Sequence, residues 1–208
     1  MKLLIGFILA NLISLVVSLN KINPNEPAQR INLNSNWTIA NQNFKIELFN
    51  QTLPTGIHTA LRRAGIIEDP LYRYNDLSYR PFINDDAWTF STYFQLDNFP
   101  SLNQSSSINL ILNSIDTIAS VYLNGKFIAH VNNEFLKYKV DSVNKYLLDG
   151  YNLLELKFFS PANQASYLAN IYPYYEPQDC PPSVQHGICH ANFLRKQQCS
   201  FSWDWGLF

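Results

Sequence analysis

The chain has 208 residues, a formal net charge of −1 and no run of basic residues. That balance excludes a nucleic-acid or anionic-membrane binder held by a positive field. Apolar residues make up 47% and aromatics 14% of it, enough for one domain with a sizeable core.

The first segment reads as a leader. Met1-Lys2 supplies a short positive start, Leu3 to Val17 is apolar apart from Asn11 and Ser14, and Val16-Val17-Ser18 fits the small-residue rule for cleavage after Ser18. The apolar run falls short of the ~20 residues that a membrane span needs. Residues 1–18 are therefore expected to be a signal peptide, and residues 19–208 a single domain without a membrane partner after cleavage.

The mature part then reads as short strands with turn punctuation. Asn36 to Ala40 and Phe44 to Leu48 form an expected first hairpin. Ile57 to Ala64 has helical character and stops at Gly65, a residue suited to the left-handed conformation that closes a helix. Ala87 to Leu96 alternates around Trp88, Phe90, Tyr93 and Phe94, and Ile108 to Leu112 is a brief apolar strand. Ile118 to Leu123 and Phe127 to Val131 flank Asn124-Gly125. A type I′ turn needs positive φ at both central positions, so this dipeptide between apolar runs predicts a tight hairpin. Leu153 to Phe159 is a late strand, and Pro161 to Tyr172 a second helix that ends before Pro173. Strands at this spacing with few helices predict an antiparallel β-sandwich with one or two short helices. No Gly-rich phosphate loop is present, and no cofactor is expected.

Secretion gives meaning to two further features. Asn36-Trp37-Thr38, Asn50-Gln51-Thr52 and Asn103-Gln104-Ser105 are glycosylation sequons, so Asn36, Asn50 and Asn103 are candidate acceptors. Among the three cysteines, Cys180 and Cys189 close a short loop holding Pro181, Pro182 and Gly187, and they are expected to pair, leaving Cys199 over. Closing a ~10-residue loop stabilises by roughly 2.7 kcal/mol on the chain-entropy estimate. Cys180, Cys189, His186 and His190 match no zinc spacing, so no metal site is expected.

The end of the chain carries the chemistry. Trp203 and Trp205 flank Asp204. An indole offers a flat apolar face to the C–H face of a pyranose and still donates through its N–H. A carboxylate between two such rings accepts charge-assisted hydrogen bonds from sugar hydroxyls. An aromatic strand in a core, with Asp204 paired to an arginine, is the competing reading. His58 reads as a packing residue. Glu68, Asp69 and Asp76 read as caps and arginine partners near Arg73 and Arg80. Arg195 and Lys196 are candidates to touch substrate or to orient Asp204, and a structural salt-bridge donor is the competing reading of Arg195.

Three runs resemble glycoside hydrolase family 2. The first is Pro54-Thr55-Gly56-Ile57-His58 with Gly65-Ile66-Ile67, Asp69-Pro70-Leu71, Arg73-Tyr74-Asn75-Asp76 and Trp88-Thr89-Phe90. The second is Asp116 to Lys126, with Val121-Tyr122-Leu123-Asn124-Gly125-Lys126. The third passes from Asp179-Cys180-Pro181-Pro182 through Cys189-His190 and Asn192 to Lys196, and ends with Cys199 to Gly206. This third run is similar to the β-mannosidase branch found in animal lysosomes. The resemblance implies a jelly-roll-like, galactose-binding-type sandwich. It implies that Trp203, Asp204 and Trp205 help to bind a terminal mannose, and that the catalytic residues, two glutamates working by a retaining mechanism, lie in a separate (β/α)₈ barrel. Such a barrel takes ~250 residues and has no room here. Catalytic residues in this chain are accordingly none, and the chain alone is expected to be inactive. The implied partners are an oligosaccharide with terminal β-mannose and the missing barrel; the implied location is the secretory pathway and lysosome. Where the family continues Trp-Asp-Trp-Gly-Pro, this chain reads Gly206-Leu207-Phe208 and stops, so truncation before the barrel is expected. Two rival readings are another family 2 glycosidase, such as a β-galactosidase or β-glucuronidase, and a secreted carbohydrate-binding module without catalysis.

Overall fold

The computed structural model describes residues 13–19, 29–96, 106–174 and 190–197. These form two antiparallel sheets. One has four strands in the order β2 (Gln29–Asn32), β1 (Ile13–Leu19), β6 (Ser106–Asn113) and β9 (Lys137–Val140). The other has six: β4 (Ile46–Gln51), β3 (Trp37–Asn41), β5 (Trp88–Gln95), β10 (Tyr151–Phe158), β7 (Ala119–Leu123) and β8 (Lys126–Val131).

Alternation of buried and less buried residues, visible in the sequence, is what makes the six-stranded sheet. In β10 the residues Asn152, Leu154 and Leu156 turn inward. Leu156 lies opposite Phe90 of β5 on one side and Val121 of β7 on the other. Because side chains alternate with period two, this register places all three on one face. Trp37, Ile39, Phe90, Val121, Leu123, Leu154 and Leu156 meet Ile108, Leu110 and Leu112 of the smaller sheet in one buried cluster. The expected sandwich is therefore the observed one. Trp37 is fully buried, and its Nε1 donates to the Leu33 carbonyl at 2.7 Å, so the ring brings no unpaired polar group into the core.

Asn124 and Gly125 have φ of +50° and +74°, as the predicted β7–β8 turn requires. The turn is pinned from outside the hairpin. The Asn124 amide donates to the Leu153 carbonyl, while its side-chain oxygen accepts from the Leu153 amide, both at 2.8 Å. Its Nδ2 donates to Tyr146 O and to the side-chain oxygen of Asn152.

Three α-helices are present among the described residues, against the one or two expected. α1 (Ile57–Arg63) and α3 (Pro161–Ile171) fall where predicted. Gly65, at φ +71°, follows the first, and Ser160 caps the second by accepting from the Asn163 amide. The unforeseen one is α2 (Asn75–Ile83), whose residues are mostly polar and which holds Pro81 in its last turn. Its interior proline removes a donor, so local pattern argues against it. Tertiary contacts hold it instead: Trp88 Nε1 donates to the Phe82 and Ile83 carbonyls, and the Ser160 hydroxyl donates to Asn84 O.

Strand β1 also stands out. Six of its residues, Ile13 to Ser18, belong to the segment read as a leader, yet its backbone pairs with β2 along Ser14 to Val17 and with β6 along Ile13 to Leu19.

Candidate functional site

Trp203, Asp204, Trp205, Cys180, Cys189, Cys199 and the sequon residue Asn103 lie outside the described residues. The described stretch nearest to the Trp-Asp-Trp segment is 190–197, and its docking is well defined. Leu194 is buried against Ile118 and Ala165, which attaches the stretch to the start of β7 and to α3. Phe193 packs edge-on against Tyr172, with ring centroids 5.5 Å apart. The Arg195 backbone forms a parallel bridge with Asn133, and its carbonyl accepts from the Glu134 amide at 2.8 Å.

The Glu134 side chain completes this attachment. It is 8% exposed, and its Oε2 accepts from the Gln197 amide at 2.8 Å. Burial pushes its carboxyl above the usual range; the Gln197 hydrogen bond opposes that, the Asp116 charge adds to it, and the Lys196 charge opposes it. Lys196 in turn sits 3.3 Å from Asp116 with a side chain only 12% exposed. Lys196 is thus an ion-pair member, and the Arg195 side chain is exposed. Glu134 and Gln197 are 63 positions apart, so no local motif announces the pair.

Of the acids read as caps or arginine partners, Asp69 makes such contacts. Asp69 accepts from Arg62 at 3.0 Å and from the Leu71 amide, and Arg80 approaches Asp85 at 3.8 Å. The arginine partner of Asp69 is Arg62 rather than Arg73 or Arg80; the end of α1 puts it there. His58 is half-buried, and burial lowers its imidazole below the usual value although the Asp76 charge pulls the other way. Asp86 links the first hairpin to β5. Burial raises its carboxyl, but hydrogen bonds from the Ala87 amide and from the Asn41 and Asn43 side chains outweigh that and hold it below the usual range. Asn36 and Asn50 are both exposed, at φ +61° and +55°. Among the described residues no three His, Cys, Asp or Glu side chains converge as a metal ion would need.

A family model described as "Glycosyl hydrolase 2 galactose-binding domain-like" matches residues 37–208. The chain belongs to this family. Among curated relatives, the β-mannosidase of Rattus norvegicus is 40% identical over 177 residues, which is 84% of this chain and 19% of the relative. The β-mannosidase of Capra hircus is 41% identical over 179 residues, 85% of this chain and 20% of the relative. The chain thus spans about a fifth of the length of these relatives. The solved β-D-mannosidase of Dictyoglomus thermophilum superposes with a TM-score of 0.67 at 30% identity, covering 84% of this chain and 20% of that one. The domain accordingly has the galactose-binding-type fold of a family 2 glycoside hydrolase.

Proposed function

We propose that this chain is the N-terminal, sugar-binding part of a β-mannosidase. The whole enzyme removes terminal, non-reducing β-D-mannose from glycoprotein-derived oligosaccharides in the secretory pathway and lysosome, after loss of residues 1–18. The observation that carries the reading is that relatives about 40% identical across 84% of the chain bear that one activity in their names. The Trp-Asp-Trp segment supports it chemically, because two indoles and a carboxylate suit a pyranose. Asp204 accepts hydrogen bonds from mannose hydroxyls, and Trp203 and Trp205 shape the pocket wall. Hydrolysis belongs to two glutamates ~5–5.5 Å apart in a barrel beyond this chain, one acting as acid/base and the other as nucleophile. Cys180 bonded to Cys189, and glycans on Asn36, Asn50 and Asn103, complete the picture of a secreted domain.

The test is Asp204→Asn in the full-length enzyme, assayed on 4-nitrophenyl β-D-mannopyranoside. Losing one charge-assisted hydrogen bond costs roughly 1.5–3 kcal/mol, so kcat/KM falls about 10- to 150-fold with the melting temperature unchanged. Normal kinetics beside a depressed melting temperature would remove Asp204 from the sugar site. The chain ending at Phe208 should not hydrolyse the same substrate.

A further inference from the structure

We propose that an N-linked glycan on Asn50 lies over the exposed Phe49 ring and closes the outer edge of the six-stranded sheet to a second copy of this chain. This rests on the reading of a secreted, glycosylated domain given above.

Strand β4 ends that sheet, and among the described residues no further strand pairs with it. Its pairing with β3 is interrupted once. Ile39 lies opposite Leu48 and Trp37 opposite Gln51, so Phe49 and Asn50 together face Thr38 alone. Two residues against one is a β-bulge. Trp37 and Ile39 are buried, so Thr38, which alternates with them along β3, belongs to the outer face. The bulge sets both Phe49 and Asn50 against Thr38, where an unbroken strand would turn one of them inward. Phe49 is 61% exposed, and Asn50 and Thr52 are exposed as well.

An edge strand offers its unpaired backbone groups and its apolar side chains to any other chain. Part of this edge is already guarded. The bulge interrupts the regular ladder, and Gln51 Nε2 donates to the Phe49 carbonyl at 2.8 Å. The Phe49 ring is what stays open. An N-linked glycan is bulky and hydrophilic, and here its first sugar begins on the residue next to that ring. The C–H face of a pyranose suits an aromatic face. Backbone conformation alone does not account for the motif. A φ of +55° favours asparagine at position 50 but places no demand on position 52. Thr52 stands there, exposed, and completes Asn50-Gln51-Thr52. The open ring, the acceptor and its threonine thus share one exposed corner of the sheet.

The test uses the full 208-residue chain secreted from insect cells. Thr52→Ala removes the sequon and leaves Asn50 in its left-handed conformation, whereas Asn50→Gln would add backbone strain. Thr52→Ser keeps the sequon. Glycopeptide mass spectrometry reads the occupancy of Asn50, and sedimentation at equal concentration reads self-association. Leader processing is the same in every variant. The expected result is an occupied Asn50 in the parent and in Thr52→Ser, and a bare one in Thr52→Ala. Thr52→Ala then self-associates about tenfold more tightly and melts about 2–4 °C lower. Adding Phe49→Ser to Thr52→Ala returns association to the parental level. If Asn50 is occupied and its loss leaves association unchanged, glycosylation stands and the shielding role fails. A bare Asn50 in the parent overturns both the proposal and the glycosylation reading at this position. Tighter association in Thr52→Ser as well as Thr52→Ala assigns the effect to the threonine and refutes the role of the glycan. Persistent association in the Phe49→Ser, Thr52→Ala double variant refutes the part given to Phe49.

Discussion

Replacing Asn152 by alanine should destabilise the sandwich well beyond an ordinary surface change. Asn152 is fully buried on β10, and its amide uses its whole bonding capacity. Nδ2 donates to the Leu148 and Gly150 carbonyls at 3.1 Å, while Oδ1 accepts from the Leu148 amide and from Asn124 Nδ2 at 2.8 Å. Truncation strands four groups, each worth roughly 1–3 kcal/mol if cut off from water. Two of them belong to Leu148, which is 59% exposed and regains solvent, so the lower part of that range applies. The expected loss is about 3 kcal/mol, or a fall of roughly 6–12 °C in melting temperature for a domain of this size. Urea unfolding of the chain followed by circular dichroism measures it. Asn152→Asp sharpens the test, because it turns both carbonyls toward a carboxylate. Its folded-state pKa is then raised, so it is tolerated near pH 4 and costs progressively more stability as pH rises. A loss under about 1 kcal/mol for the alanine variant, with a pH-independent aspartate variant, would refute the account of the network.

Two further outcomes follow from particular residues. His58 has a folded-state pKa depressed by burial, so the unfolded chain takes up its proton first as the medium acidifies. Its contribution is fully present above pH 6.5 and is lost as pH falls through that value toward the lower folded pKa; His58→Gln should flatten the melting-temperature profile between pH 7 and 5. Cleavage after Ser18 would remove six of the seven residues of β1 and expose facing edges of β2 and β6. The chain spanning 19–208 should then melt lower than 1–208 and associate more readily at equal concentration, as unpaired strand edges do; equal melting temperature and equal sedimentation would show that β1 contributes nothing to the native sheet.

Much of this protein was written locally. Period-two alternation placed β3, β5, β7 and β10, because one buried face is all that such a strand requires. The β7–β8 turn was legible since few residues besides asparagine and glycine accept two successive positive φ values. The likeness to family 2 glycosidases was legible in contiguous motifs, and so were Trp203, Asp204 and Trp205 as candidate sugar contacts. Helix α2 was not, because its reasons for being helical are the Trp88 indole and its neighbours rather than its own residues. The pairing of β1 with β6 escaped for a similar reason: an apolar run carries no mark of the strand it will pair with, and only the folded chain shows the partner. Glu134 is the clearest case. In the sequence it is one acid in a polar turn, indistinguishable from a solvated residue. Its meaning depends on a backbone amide 63 positions away, and a backbone N–H carries no side-chain signature, so only the folded chain could bring the two together.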